Sequence, residues 1–180
     1  PLTKDFKPDV SALKKVCFKI KPLIKKNQLI LVKSTVPPGT TRNIVYKILS
    51  KKEKNIDIVF CPERLAEGNA IKEFTNLPIV IGGINYKASI RAKKFWYKTI
   101  GIKSIITRSL ETSEFVKLSN NSWIDLNIAL SNDLARLADS LKYEIDILEV
   151  ISAANTLKKG SNFVNMLTPS SGVGGYCLTK

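Results

Sequence analysis

The sequence predicts an α/β protein in which a parallel sheet, covered by helices on both faces, is followed by a helical unit. Two observations predict the sheet: short apolar runs recur along the first half of the chain, and segments with helical spacing separate them. A third observation predicts the helical unit, because apolar residues after Glu111 recur at helical spacing without an intervening strand.

Local patterns predict each element of the first part. Apolar residues at helical spacing predict a first helix at 10–26, which Pro22 ends or bends. The elements that follow are the strand LILV at 29–32, a helix at 40–49, the strand IDIVF at 56–60, the strand PIVIGG at 78–83, a helix at 85–97 and the strand SIIT at 104–107.

Leucine spacing predicts the second part. One long helix is expected from 111 to about 141, since five leucines four, four, three and four residues apart share one face: Leu126, Leu130, Leu134, Leu137 and Leu141. Another helix is expected at 146–154. The change of pattern near 108–110 predicts one domain at 1–109 and an all-helical domain at 110–180.

The charge of the chain bears on its partners. There are 29 lysines and arginines against 15 acidic residues, a net charge of +14, which invites a nucleic-acid interpretation. Only five of the basic residues are arginines, the side chain that recognition of phosphates and bases favours. We expect no nucleic-acid partner, although part of the charge would attract a small polyanion such as a nucleotide.

Residue types also limit location and chemistry. No apolar run approaches the roughly 20 residues of a membrane helix, and the first ten residues lack a signal peptide's apolar centre, so we expect a cytoplasmic protein without a membrane partner. The three cysteines include no close pair, which predicts free thiols in a reducing compartment. Because the chain has no histidine, no metal is expected, and catalysis would use Cys, Lys, Glu, Asp or Thr.

The segment STVPPGTT, residues 34–41, follows a predicted strand. It places Ser34 and Thr35 where loops of an open parallel sheet point toward a common crevice. On this stretch alone, an ordinary capped turn is the simpler interpretation.

The segment CPERLAEG, residues 61–68, follows the next strand. It contains two carboxylates, Glu63 and Glu67, with Arg64 between them. Such a pair could orient a water or hold a substrate hydroxyl, whereas a structural ion pair with Arg64 is equally compatible with the sequence.

The segment EFVKLSNN, residues 114–121, lies on the predicted long helix. Lys117 and Asn121 are four residues apart and share a face, where an ammonium and a carboxamide could donate to a developing oxyanion. A surface lysine beside a polar neighbour is the alternative.

The segment GVGGYC ends near the last residue of the sequence. Its glycines, among them Gly174 and Gly175, would allow a tight loop that presents Cys177. A cation such as Lys117 or Lys180 would lower the pKa of that thiol and make it a nucleophile. Taken singly, a buried inert thiol is the simpler interpretation for Cys177, as it is for the other cysteines, Cys17 and Cys61.

Together these motifs, with SND at 131–133 and EIDILEVISAAN, occur in an order that resembles the nucleotide-sugar 6-dehydrogenases, the family of UDP-glucose and UDP-N-acetylhexosamine dehydrogenases. The resemblance covers 8–180. It implies that 1–109 is the later half of a Rossmann-type NAD-binding domain and that 110–180 is a central helical domain that builds a homodimer. It also implies a second nucleotide-binding domain that holds the sugar nucleotide.

The resemblance implies oxidation of the C6 alcohol of a UDP-sugar to a carboxylate in two hydride transfers to NAD. Cys177 would form a thiohemiacetal and then a thioester, Lys117 and Asn121 would stabilise the oxyanions, and Glu63 with Thr35 would serve thioester hydrolysis. The remaining implied contacts are Glu67, Arg64, Gly174, Gly175 and Lys159 with the substrate, and Ser34, Thr35, Glu67 and Lys180 with NAD.

The sequence departs from the family pattern in several places. Thr179 stands where many members have proline, and Lys158 or Lys159 would replace an arginine that crosses the dimer. A glycine-rich phosphate loop is expected upstream of Pro1 and an aspartate after Lys180. The 180 residues alone are therefore expected to be inactive.

Several alternatives stay open. The arginine of PER and the following GNA favour a UDP-N-acetylhexosamine, that of N-acetylmannosamine or N-acetylglucosamine, over UDP-glucose. A non-catalytic dimerising fragment is a further alternative. A hydroxyacid dehydrogenase of the 6-phosphogluconate type is disfavoured, because a single oxidation has no need of a thioester-forming cysteine.

Overall fold

The structure, a computed structural model, describes residues 2–5, 7–65, 68, 70–160 and 162–171. The chain divides into two compact units, Pro1–Leu118 and Ser119–Lys180. This division falls inside the long helix, later than the predicted boundary, because the first turns of that helix pack against the sheet. No helix of the described part is long and apolar enough to cross a membrane.

Helices and strands alternate in the first unit, which confirms the α/β class. Its elements are α1 (Ser11–Ile20), β1 (Leu29–Val32), α2 (π-helical over Thr41–Tyr46 and α-helical over Lys47–Leu49), β2 (Asp57–Phe60), α3 (Ala70–Asn76), β3 (Ile79–Gly83), α4 (Tyr86–Ile100) and β4 (Ser104–Ile106), followed by the start of α5 (Leu110–Ser140). Pro22 ends the α-helical part of the first helix, where a 3₁₀ turn, Lys21–Leu23, follows α1. The sequence pattern does not predict α3.

The sheet has the strand order β1-β2-β3-β4. β1 runs parallel to β2, and β3 runs parallel to β4. The central pair is antiparallel, with Val59 of β2 opposite Gly83 of β3. The predicted all-parallel sheet is therefore wrong at this pair.

The connection between β2 and β3 contains one short helix. Its helix, α3, has 7 residues and rises only about 10 Å at about 1.5 Å per residue. Parallel neighbours require a crossover that carries the chain back along the sheet. Here the chain enters β3 at the end where it left β2, so the pair is antiparallel.

Two apolar layers cover the sheet, one on each face. Successive residues of β2 point to opposite layers, as the pleat of a strand requires: Ile58 and Phe60 join α1 and α2, whereas Val59 and the adjoining Cys61 join α4. All four are fully buried. Because side chains of β2 are buried on both faces, the strand is held in place, and the residues that follow it begin at a fixed position at the edge of the sheet.

The second unit contains most of α5, the helix α6 (Ile147–Ala154), and a short hairpin of β5 (Lys158–Lys159) and β6 (Asn162–Phe163). Asp146 caps α6 by accepting a hydrogen bond from the backbone amide of Leu148 at 2.8 Å. The prediction of an all-helical second domain is wrong at the hairpin, where Gly160 takes φ +60° and lets the chain reverse.

Candidate active site

The segment after β2 contacts the residue that ends β1, directly before the predicted site segment at 34–41. Lys33, directly after β1, forms an ion pair with Glu63, and its Nζ lies 3.1 Å from Glu63 Oε2. The other carboxylate oxygen of Glu63 accepts from the backbone amides of Arg64 at 2.9 Å and Leu65 at 3.1 Å. These contacts hold the Glu63 carboxylate in one orientation. Both members of the pair remain partly exposed, so water reaches them.

The guanidinium of Arg64 points toward the start of β3 and not toward Glu63. It donates through Nη2 to the carbonyl oxygen of Pro78, at the start of β3. Glu63 is paired with Lys33. An ion pair between Arg64 and Glu67 is not tested, because Glu67 lies outside the described residues. Arg64 therefore ties the segment after β2 to the next strand.

A small cavity opens beside the Glu63 carboxylate. Its volume of about 20 Å³ suits roughly one water molecule. The Lys33 ammonium lies 5.5 Å from the ring centre of Phe74 and 5.3 Å from that of Trp96, within the range of cation–π attraction. The aromatic rings and the carboxylate together fix the ammonium at the cavity wall.

The loop that carries Ser34 and Thr35 is held from α5. Glu114, which has no exposed surface, accepts from the backbone amide of Gly39 at 2.5 Å through Oε2 and from that of Thr41 at 2.7 Å through Oε1. Backbone amides are strong partners for a carboxylate. Gly39 has φ +89°, a conformation that favours glycine. Ser34 is exposed and Thr35 half-buried.

A second pair of contacts seats the beginning of α5 on the first unit. Arg42 of α2 donates through Nε to Glu111 at 2.6 Å. On the β3 side, a Cβ added at Gly82 would collide with Ser113 and with the carbonyl oxygen of Ser109. The helix therefore approaches the sheet as closely as a glycine allows.

Lys117 lies one turn beyond Glu114 on α5. Its side chain is buried, with 9% of its surface exposed, so the alternative of a solvated surface lysine is wrong. Asn121 follows four residues later on the same continuous helix and is half-buried. Lys117 thus lies one turn of α5 beyond the residue that holds the Thr35 loop, and its action on a substrate stays a prediction.

Cys17 and Cys61 are buried free thiols, as predicted. Burial raises the pKa of Cys61 to about 11 and also raises that of Cys17. Since the thiolate is the reactive form, neither is suited to act as a nucleophile at neutral pH.

Several predicted site residues lie outside the described part of the chain: Glu67, Gly174, Gly175, Cys177 and Lys180. The backbone of Lys159 belongs to β5, but its side chain is not described, and the neighbouring Lys158 is exposed. The roles of these residues stay predictions.

Two residues of this region, Glu114 and Lys33, are not among the predicted site residues. Glu114 stands in the quoted motif EFVKLSNN, and its position three residues before Lys117, on the same helix face, was the available signal. Lys33 directly follows a buried strand, and a charged residue at that position is also a signal.

Family models match both parts of the chain. Residues 1–100 match the NAD binding domain of the UDP-glucose/GDP-mannose dehydrogenase family, and residues 111–180 match the central domain of the same family. The two matches together include every described residue of the candidate site.

Individual relatives agree with the family models. The chain is 40% identical over 173 residues to a UDP-N-acetyl-D-mannosamine dehydrogenase of Methanocaldococcus jannaschii, covering 96% of this chain and 38% of the relative. It is 29% identical to an NDP-N-acetyl-D-galactosaminuronic acid dehydrogenase of Ralstonia solanacearum, covering 99% of this chain and 43% of the relative.

Among solved structures, the UDP-D-ManNAc dehydrogenase of Pyrococcus horikoshii is 33% identical with a TM-score of 0.87, over 100% of this chain and 42% of that one. The chain thus spans about two fifths of the length of these relatives. From the strand ends, the buried Lys117 and these matches, we conclude that the chain belongs to the UDP-glucose/GDP-mannose dehydrogenase family.

Proposed function

We propose that the protein to which this chain belongs is an NAD-dependent nucleotide-sugar 6-dehydrogenase that acts on a UDP-N-acetylhexosamine. The observation that carries the proposal is the Lys33–Glu63 ion pair, which links the end of β1, directly before the motif at 34–41, to the motif after β2. Buried Lys117, from a third motif, supports it. The relatives named for UDP-N-acetyl-D-mannosamine support the substrate class.

The described residues fit the edge of a nicotinamide nucleotide site. The exposed hydroxyl of Ser34 and the half-buried Thr35 stand at the carboxyl end of β1, the place where open α/β sheets bind nucleotides. Hydroxyl groups there can hydrogen-bond to a ribose or an amide. When bound, NAD accepts a hydride in each of the two oxidations.

The proposed reaction proceeds in balanced steps. The C6 alcohol loses a hydride and a proton to become an aldehyde. The thiol of Cys177 adds to the aldehyde carbon, forming a C–S bond while its proton passes to the carbonyl oxygen. Loss of a second hydride to NAD and of the hydroxyl proton to water converts this thiohemiacetal into a thioester. Water then attacks the thioester carbon, the C–S bond breaks, and the products are the carboxylate and the regenerated thiol.

Four described residues have a role in this scheme: Lys117, Asn121, Glu63 and Thr35. The Lys117 ammonium and the Asn121 amide donate hydrogen bonds to the negatively charged oxygen of the alkoxide and of the tetrahedral adducts. Glu63 and Thr35 orient the water that hydrolyses the thioester, and the cavity beside Glu63 is large enough for it. A reducing, cytoplasmic setting belongs to the proposal, because the nucleophile must be a free thiol.

The test uses the full-length protein and several UDP-sugars, with NADH followed by absorbance. Two NADH per sugar are expected in the wild type, and Cys177→Ser should abolish formation of the acid. Cys17→Ala, which changes a buried free thiol outside the motifs, is the matched control and should retain activity. One NADH with release of the aldehyde, or an active Cys177→Ser protein, would overturn the mechanism.

The substrate is tested in the same assay. We expect kcat/KM for UDP-N-acetylmannosamine or UDP-N-acetylglucosamine to exceed that for UDP-glucose by about 100-fold, since a site built to bind the amide leaves its polar groups unpaired with glucose. A preference for UDP-glucose would instead support the alternative of a UDP-glucose 6-dehydrogenase. The 180-residue chain alone is expected to give no NADH, because it spans about two fifths of the relatives.

We also propose a homodimer built on α5. Apolar side chains that the sequence analysis expects on one face of this helix are exposed in the chain, including Leu126 at 70% and Leu137 at 53%. A row of exposed leucines on one helix face marks a contact with a partner. A second copy of the chain would cover these leucines with the same face of its own α5, in a symmetric contact.

A further inference from the structure

Residues 164–170 form a segment of the second unit outside helices and strands, and side chains bind its backbone. Apart from Val164, whose amide donates to the carbonyl oxygen of Leu157 at 2.9 Å, the described hydrogen bonds of this backbone go to three asparagines. Two of them, Asn127 and Asn132, lie on α5, and Asn155 ends α6. All three are half-buried.

Asn127 holds the segment through both ends of its amide group. Its Oδ1 accepts from the backbone amide of Leu167 at 2.8 Å, and its Nδ2 donates to the carbonyl oxygen of Asn165 at 3.1 Å. A neighbouring β-strand would offer the same pair of donor and acceptor. The side chain therefore takes the place of a strand that this segment lacks.

Asn155 repeats the arrangement from the other helix. Its Oδ1 accepts from the backbone amide of Met166 at 2.7 Å, and its Nδ2 donates to the carbonyl oxygen of the same residue at 3.0 Å. The network requires one orientation of each amide, because an oxygen must face the N–H and a nitrogen the C=O. Asn132 adds a third contact, accepting from the amide of Ser170 at 2.8 Å.

These contacts set the path of the segment from two sides. Met166 is bound from the end of α6, Leu167 from α5 one residue later, and Ser170 again from α5. An extended chain without sheet partners would leave its polar groups to water and would sample many paths. Bound to side chains of two helices, the segment has a single path up to Ser170.

We propose that Asn127, Asn132 and Asn155 are positioning residues that aim the chain at the glycine-rich loop carrying Cys177. Cys177 follows Ser170 by only seven residues, of which three are glycines. Glycines add conformational freedom and cannot by themselves fix a nucleophile. The three asparagines fix the described backbone that directly precedes these glycines. This inference rests on the proposed function only for the role of Cys177.

The test substitutes single atoms in the full-length protein. Asn127→Asp and Asn155→Asp keep the shape and the accepting oxygen but replace the NH₂ donor with an oxygen that repels the backbone carbonyl. Asn162→Asp, at an exposed position of β6, adds the same charge at a side chain with no described hydrogen bond to the segment and is the matched control. Each variant is assayed for kcat, KM, NADH per sugar and the alkylation rate of Cys177.

We expect the variants to affect the chemical steps more than substrate binding. Both variants should lower kcat by about 10- to 100-fold, the cost of displacing a reacting group by about 1 Å, while KM changes less than about 3-fold. NADH per sugar should fall below two, because oxidation of the aldehyde requires the thiol. The alkylation rate of Cys177 should differ from that of the wild type and of Asn162→Asp.

Other outcomes decide against the inference. A kcat in both variants equal to that of Asn162→Asp, or a loss of kcat that only parallels a loss of folded protein, overturns it. If the variants do not fold, Asn132→Ala removes the contact to Ser170 alone and is judged by the same measurements. If the wild type oxidises no UDP-sugar, the proposed function fails, and the alkylation rates still decide the positioning role.

Discussion

At the scale of single residues, Glu114 carries a buried carboxylate whose two oxygens accept from the amides of Gly39 and Thr41. An acid with no exposed surface loses its hydration, and hydrogen bonds to its charged form compensate for that loss. The residue thereby connects the loop that carries Thr35 to the helix that carries Lys117. Its position links two motifs that are distant in the sequence.

Replacement of Glu114 by glutamine tests this connection. The amide nitrogen of the new side chain would face a backbone N–H, so we expect Glu114→Gln to lower the free energy of unfolding by about 1–3 kcal/mol. Denaturant unfolding measures this change in the free energy of unfolding. Glu111→Gln, one turn earlier and partly exposed, is the control and should cost less than about 1 kcal/mol. Equal losses in the two variants would contradict a special role for Glu114.

The buried thiols give a second prediction at this scale. Burial raises the pKa of Cys61 to about 11, so at pH 8 only about 0.1% of it is thiolate, and the pKa of Cys17 is also raised. In the native protein, iodoacetamide should therefore modify neither residue until unfolding, which peptide mass spectrometry can follow. Alkylation of the denatured protein is the control. Rapid labelling of Cys61 in the folded state would show that the first unit opens readily.

At the scale of elements, α5 is seated on the sheet by close contact and by charge. Gly82 of β3 leaves no room for a side chain beneath Ser113, and Arg42 of α2 pairs with Glu111. These contacts bring the first turns of α5 into the α/β unit. The division of the chain inside the helix follows from them.

The close contact predicts a large effect of one methyl group. Gly82→Ala would press a Cβ against the backbone of Ser109 as well as against Ser113, and backbone cannot move aside cheaply. We expect a loss of about 2–3 kcal/mol in thermal or denaturant unfolding. Gly101→Ala, at the end of α4 with φ +70° and open space around it, should cost about 1 kcal/mol from backbone strain alone. A smaller loss at Gly82 than at Gly101 would refute the close approach.

The ion pair predicts a dependence on pH. The hydrogen bond from Arg42 lowers the pKa of Glu111, so the pair stabilises the fold above the pKa of an unfolded glutamate and this contribution is lost as pH falls through the lowered value. The stability difference between wild type and Glu111→Gln should be present at pH 7 and vanish in acid. Because both partners are partly exposed, it should stay below about 1 kcal/mol. A difference that grows in acid would contradict the assignment.

At the scale of the whole molecule, the proposed dimer is tested by charge on the exposed face of α5. Leu130 is 50% exposed in the chain. Leu130→Asp should shift the protein from dimer to monomer in sedimentation velocity, because a carboxylate would be buried at the interface. Ala129→Asp adds the same charge about 100° around the helix and should remain dimeric. Dimers of both variants would place the interface elsewhere.

Local patterns in the sequence were sufficient for much of the fold. The run LILV is β1, and the leucine spacing predicts α5 to within a residue at each end. These elements have strong periodicity, which depends only on neighbouring residues. The motif order also identified the family, because each motif is a short stretch of chain.

Contacts between distant segments were decided only by the tertiary structure. The antiparallel pairing of β2 and β3 depends on the end of the sheet at which the chain enters β3. The strands of the hairpin after α6 have two residues each, too few to show a periodic pattern. Likewise, Glu114 and Lys33 have ordinary local surroundings in the sequence, and their partners are 75 and 30 residues away. The elements and the family could be predicted because they follow from local patterns of residues. Strand direction and the partners of charged groups could not, because they depend on which segments meet in space.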